Sequence, residues 1–452
     1  MVDSRDAVQK DLIGRHLEPR GSRFFIVSII LSVLTIAGIV GFVLRFQDGF
    51  GQGDLWGYYV ALFAFIFAAA GGAPMVAIST RIAKAHWPRS ISRISELFSI
   101  VSLFGIILFI PMIWILPDME DGRRTLWFFG KLNVPSNLPH ILTTLGLVSL
   151  VLTGLFMLWL SLMPDIRFLR DMSNTKKGSW LYNLSAGWIG SSRQWFMQRH
   201  RIGILGAFYF MTLIFVHFLI AVDFSMTLVP GWIDALYPVT QAHNSLQVGV
   251  ATVVLTMFAI RYFGHYQDYL TIDQFRGLGK LMFALSLLWF WFWFSSFIVL
   301  WYGAKPSERS VLELLMTGPY IWVFIAAFVL LFVVPLFTMI WNPLRRSIWG
   351  PTIIAGCVFI GAILDKIRIY VASYSVIDQA GLHEIEHVPS TIWPGFADIL
   401  IWIGGLAGCV LVYMLATRIL PVINIWEQKE LKLYQVHKKF HRIEVQVLGK
   451  PE

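Results

Sequence analysis

Charged side chains are scarce in this 452-residue chain: Asp, Glu, Lys and Arg supply 14% of it, against roughly 25% in soluble globular proteins. Apolar residues reach 57%, including 36 Phe and 19 Trp, and mean hydropathy is +0.66. They come in long uninterrupted runs. This balance excludes a soluble enzyme, a nucleic-acid-binding module and a disordered chain, and it predicts an integral membrane protein. Cysteine is scarcer still. The two present, Cys357 and Cys409, lie far apart inside apolar runs. An iron–sulfur cluster needs about four thiolates at close spacing, and the sequence has no CxxCH haem-attachment motif. Both cysteines are expected to pack in the core. Of the 11 histidines only His140, His217 and His243 fall in or near apolar runs. A helical cytochrome with a pair of b haems needs about four axial ligands. The chain is therefore expected to hold no metal or haem of its own, so redox chemistry calls for a diffusible carrier or neighbouring subunits.

A membrane-crossing helix takes roughly 20 mostly apolar residues. Ten candidates lie near 24–45, 55–80, 94–117, 138–163, 202–222, 239–262, 279–303, 316–341, 349–376 and 396–420. Barrel strands are excluded, since they run about 10 residues with strict alternation. The expected fold is an all-α integral membrane protein with ten transmembrane helices. Short basic connections after spans two and six, with long Asp-bearing segments on the other side, suggest that spans two to five and six to nine form two four-helix bundles. Spans one and ten then lie outside them. Residues 1–23 are expected to be a cytoplasmic N-terminal segment, polar and without the cleavage site of a signal peptide, and 421–452 a cytoplasmic tail. Ten spans put both termini on one side. That side collects 28 of the Lys and Arg residues, the other side five, and Arg45, Lys366 and Arg368 sit at or inside spans. Cytoplasmic loops carry the Lys/Arg excess, so the net charge of +9 is a topology signal that places both termini in the cytoplasm.

With this orientation, His217 and Asp223 fall at the outer end of the fifth span, His140 and His243 open the fourth and sixth there, and Tyr58 and Tyr59 open the second. Oxidising a quinol releases protons, so its hydroxyls need acceptors such as His and Asp within hydrogen-bond reach. His140, Asp223, His217 and Tyr58 are the candidate quinone-binding residues. The alternative is that such residues anchor helix ends at the interface. Ionisable groups inside spans form a second signal, because they are costly there and mark pathways or internal pairs. Asp365 and Arg368 are three apart, hence on one helix face and able to pair, while Lys366 points elsewhere. Arg93 and Glu96 repeat that spacing at the inner start of the third span. Asp365, Arg368, Arg93 and Glu96 are the candidate proton pathway. The alternatives are a neutralised structural pair for the first two and snorkelling to the interface for Arg93, Glu96 and Lys280. Pro74, preceded by Gly71-Gly72, and Pro335 lie inside spans and are expected to kink them.

Several stretches resemble a known family. RSISRISEL (89–97), MPDIRFLRD (163–171), VHFLIAVDFSMTLVPGW (216–232), LGKLMFALSLLWFWFWFSSFIVLWYGAKPSE (278–308), LDKIRIYVASYS (364–375) and TRILPVINIWEQKE (417–430) are similar to the polysulfide-reductase membrane-subunit (NrfD-type) family. Within it, they resemble the quinol-oxidising membrane subunits of bacterial alternative complex III. The resemblance implies ten spans in two four-helix bundles, no bound metal or haem, and quinol or menaquinol as substrate. It also implies an extracytoplasmic iron–sulfur subunit, multihaem cytochrome c subunits and a second NrfD-type subunit as partners, in the bacterial cytoplasmic membrane. Three groups form the family's quinol site. The first, a His near the end of the third span, is absent from FIPMIWILP (109–117); the second, an acid, maps near Thr143, one turn from His140; the third matches Asp223. Three roles stay open: a quinol-interacting respiratory subunit, a structural or proton-translocating paralogue in the same complex, and a secondary transporter.

Overall fold

The computed structural model describes residues 4–19, 21–115, 138–172, 183–185, 187–380, 382–441 and 443–448. The whole connection expected at 118–137 and part of that at 164–201 lie outside them. The chain begins with α1 (Ser4–Leu17) and α2 (Ser22–Phe46). Next come α3 (Gly57–Gly72), α4 (Met75–Ile82), α5 (Ser92–Glu96), α6 (Phe98–Phe109) and α7 (Met112–Ile115). Then follow the long helices α8 (Leu138–Met172), α9 (Ser192–Asp223), α10 (Leu236–Phe263) and α11 (Ile272–Gly303). The shorter α12 (Pro306–Leu312), α13 (Ile321–Phe328), α14 (Val334–Met339) and α15 (Asn342–Arg345) lead to α16 (Trp349–Tyr374) and α17 (Phe396–Ile419). Finally α18 (Ile425–Tyr434) runs into an antiparallel hairpin, β1 (Gln435–Phe440) and β2 (Ile443–Leu448), a small addition to the all-α expectation.

Among the described residues nine helical stretches are long and apolar enough to cross a membrane, which makes this a multi-pass membrane protein. α16, 26 residues long, is not among the nine; it carries Asp365, Lys366 and Arg368. Local chemistry sets the helix boundaries. Ser191 and Gln194 form a capping box at the start of α9, and Pro306 sits in the first turn of α12, where its missing N–H removes no helical bond. Pro74 separates α3 from α4, and Pro335 follows a π-helical turn over Val329–Val333. Both prolines therefore mark breaks, as expected of a residue that frees a carbonyl.

α3 is the axis of the molecule. All of its residues, Gly57 to Gly72, are buried, and its glycines let two neighbours approach at backbone distance. A Cβ on Gly72 would run into the Ser245 carbonyl of α10, and one on Gly57 would lie 2.9 Å from Cα of Val371 on α16. Such small-residue contacts are how helices associate in lipid, where burying apolar surface gives no advantage. α2 packs against α17 in the same way, Gly38 against the Gly404 backbone, while its other faces are exposed. Arg45 pairs with Asp398 at 2.5 Å beside that seam. Between α11 and the α13–α14 segment the packing is aromatic, with Phe290 stacked on Phe332 at 4.1 Å and Trp293 5.7 Å from Phe324.

α8 and α9 are antiparallel: Gly146 packs near Val216 and Leu219, and Gln198 donates to the Leu160 carbonyl. α1 docks against the segment after α17, where Lys429 donates to Gln9 at 2.6 Å. That side is the termini-bearing end, and the side of Asp223 is the far end. The stretch from Val422 to Gln428 is buried, so it belongs to the packed helical body although the sequence suggested a tail.

Gly72→Val is expected to lower stability by about 1–3 kcal/mol through overpacking against α10. Gly356→Ala, with nothing within 4 Å of the new methyl, leaves it unchanged. Thermal unfolding of the detergent-solubilised protein measures both, and equal melting temperatures contradict the close α3–α10 contact.

Candidate functional site

At the far end, α8 and α9 bring three of the expected residues to similar depth. The Gly146–Val216/Leu219 contact fixes the antiparallel register. One turn further out, Thr143 and His140 stand level with Ile220 and Asp223. His140, Thr143, His217 and Asp223 are all buried. The Nδ1 of His217 donates to the Leu213 carbonyl at 3.0 Å, and its ring stacks on Phe67 of α3 at 5.3 Å. A carbonyl only accepts, so this bond places the proton on Nδ1 and leaves a lone pair on Nε2. That Nε2 and the Thr143 hydroxyl have no hydrogen-bond partner among the described residues. Beyond Asp223 the chain turns, and the Ser225 hydroxyl bonds that of Tyr237 at 2.7 Å.

Other expected members lie elsewhere. The Tyr58 hydroxyl donates to the Ile392 carbonyl at 2.9 Å, so it is engaged by the segment before α17. Tyr59 donates to Leu108, and His243 donates through Nε2 to Leu285 on α11 at 2.8 Å. Each of these three groups therefore has its donor hydrogen engaged by a backbone carbonyl.

The charges of α16 are met inside the protein. Arg368 pairs with Asp365 at 2.6 Å, donates to the Leu315 carbonyl at 3.0 Å, and sits 5.3 Å over the Phe324 ring. Lys366 faces another way and donates to the Gln241 side chain of α10. Beside this pair lies a cavity of about 40 Å³, walled by Trp232, Tyr237, Trp289, Trp293 and the Asp365–Arg368 pair. The indole N–H groups of Trp232, Trp289 and Trp293 have no acceptor among the described residues. A volume of this size suits water rather than a larger molecule.

At the termini-bearing end Arg93 is fully buried, which corrects the expectation that it snorkels to an interface. Its guanidinium bonds Asp165 at 3.0 Å, Asn424 at 2.6 Å and the Ser161 carbonyl at 2.9 Å, with Glu96 3.4 Å away. Arg81 joins Glu96 and lies 2.8 Å from Glu427. The Trp426 backbone N–H donates to Asp165 at 3.0 Å. Arg93 and Glu96 were legible as a pair from their spacing. Asp165, Arg81, Asn424 and Glu427 were not, because they come from three other segments; the one trace of them in the sequence is that each stands at the border of an apolar run. By contrast Lys280 is exposed, as snorkelling requires.

Among the described residues no three His, Cys, Asp or Glu side chains are placed to hold a metal ion, and Cys357 and Cys409 are both free thiols. No protein-family model matches the chain, and no curated protein matches it either.

Removing one partner of a buried ion pair strands the other. Asp365→Leu is expected to cost about 3–5 kcal/mol, and the double replacement Asp365→Leu/Arg368→Met to recover most of it. Denaturation of the two single variants and the double variant closes the cycle, and additive losses contradict a direct pair.

Proposed function

We propose that this chain is a membrane subunit of a respiratory quinol-oxidising complex of the alternative complex III kind, and that a quinol headgroup sits between α8 and α9 at the far end. The observation that supports this reading most is His217. It is a buried imidazole whose tautomer is set by Leu213 so that an unbonded Nε2 lone pair is held at membrane depth, one and a half turns from the buried carboxyl of Asp223. Quinol oxidation yields quinone, two protons and two electrons. His217 and Asp223 are the acceptors for the protons, with His140 and Thr143 on α8 orienting the hydroxyls. The electrons leave to extracytoplasmic iron–sulfur and haem subunits, and a second membrane subunit of the same type stands alongside.

In this reading α16 is the ninth membrane-crossing segment in chain order and α17 the tenth. The segments α3 to α9 and α10 to α16 form the two four-helix bundles, and α2 and α17 flank them. The termini-bearing end is cytoplasmic, in agreement with the Lys/Arg excess, and the far end is extracytoplasmic. A second role, proton translocation without quinol oxidation, draws on the Asp365, Lys366 and Arg368 charges buried in α16, since such groups by default mark pathways or internal pairs.

Asp223→Asn is expected to lower quinol turnover about 10²-fold, the usual contribution of a positioned acid or base, with the fold unchanged by thermal melting. Wild-type turnover in both Asp223→Asn and His217→Gln rejects the site. Wild-type turnover with fewer protons released per electron assigns the chain the translocating role instead. A transporter, the third possibility, is rejected by copurification in fixed ratio with haem and iron–sulfur subunits.

A further inference from the structure

The cluster at the termini-bearing end carries an uneven charge. Two cations, Arg81 of α4 and Arg93 of α5, meet three carboxyls: Glu96 of α5, Asp165 of α8 and Glu427 of α18. With all five ionised the cluster would hold a net charge of −1. The three carboxyls and Arg93 are enclosed, and the Arg81 side chain is 18% exposed. Two buried carboxyls elsewhere are each matched by one cation, Asp365 by Arg368 and Asp398 by Arg45. An unbalanced ion in a low-dielectric interior costs several kcal/mol, and a titratable group escapes the penalty by taking up a proton. Carboxyls that share a site titrate as a unit, with the proton belonging to the group rather than to one residue.

The chain after α17 makes the imbalance. Glu427 brings the third carboxyl, Asn424 ties it to Arg93 with bonds of 3.0 and 2.6 Å, and Trp426 fixes the Asp165 carboxyl from the backbone. Without this segment Arg81 and Arg93 would face Glu96 and Asp165 alone, a neutral set. Among the described residues, the other side chains hydrogen-bonded there are uncharged: Ser161 accepts from Arg93 and Arg81, and Gln428 bonds Ser90 at the edge. One N–H of Arg93, on Nη1, has no acceptor inside the cluster, so a further hydrogen-bonding molecule has a donor waiting for it.

We propose that the C-terminal segment Asn424–Glu427 completes a buried site that stores one exchangeable proton among Glu96, Asp165 and Glu427. The bond formed is one carboxyl O–H, and the proton comes from solvent on the termini-bearing side. Removing the negative charge of any one of the three acids removes the need for that proton. The site stands at the opposite end from His217 and Asp223 and does not depend on quinol binding there.

The test is infrared spectroscopy of the full-length protein in lipid nanodiscs, reading the carbonyl stretch of protonated carboxylic acids. Glu427→Gln, Asp165→Asn and Glu96→Gln, made separately, are each expected to remove one and the same protonated-acid signal, although only one acid carries the proton at a time. Glu430→Gln, at the rim beside Arg89 and Arg199, is expected to leave it. A signal lost in one of the three variants but kept in another, or kept in all of them, overturns shared storage and leaves the cluster a structural clasp. The substitutions nearly preserve side-chain size, and any two that fold suffice for this comparison.

Discussion

A charge or polar group held at membrane depth has no water to turn to, so the protein must answer it from within. This requirement organises the molecule. Arg45 is matched by Asp398 and Arg368 by Asp365, while Lys366 is met by an amide of α10. Each of these contacts ties one helix to another or fixes a side chain's direction. α3 makes the arrangement geometrically feasible. It carries no charge itself, and its glycines bring α10 and α16 in to backbone contact, close enough for short side chains to bridge the remaining gaps.

The polar groups divide between the two ends. The far end gathers His140, Thr143, His217 and Asp223, and among these the buried His217 holds an Nε2 lone pair. The termini-bearing end is the reverse, a dense ionic cluster closed by the chain's own C-terminal segment. The Asp365–Arg368 pair and its small cavity lie beside α10, and Tyr237 lines that cavity while bonding Ser225, two residues past Asp223. The functional reading thus rests on the His217 lone pair, and the stability of the scaffold on the ion pairs.

Much of this was legible in the sequence. Long apolar runs announced the helices, and the i, i+3 spacing announced the Asp365–Arg368 and Arg93–Glu96 pairs, because both signals are local. His217 and Asp223 stood out because polar residues are rare in such surroundings. What could not be read was which distant segments meet. Asp165, Asn424 and Glu427 reach Arg93 across the fold, and no periodicity records that. Tyr58 was grouped with the histidines by depth, but depth alone does not give direction around a helix, and its hydroxyl meets the segment before α17 instead. Nor did composition reveal that residues 422–428 are buried, since Asn, Glu and Gln look like a solvated tail until their partners are known.

Everything proposed for the function turns on the far end of α8 and α9 being a headgroup site. A density map of the purified complex with quinol or a quinol analogue tests it most directly. The expected result is a headgroup between His140 and Asp223, within hydrogen-bond reach of His217 Nε2. A headgroup bound elsewhere on the chain, or a far end filled by side chains with the ligand on the second membrane subunit alone, would contradict it.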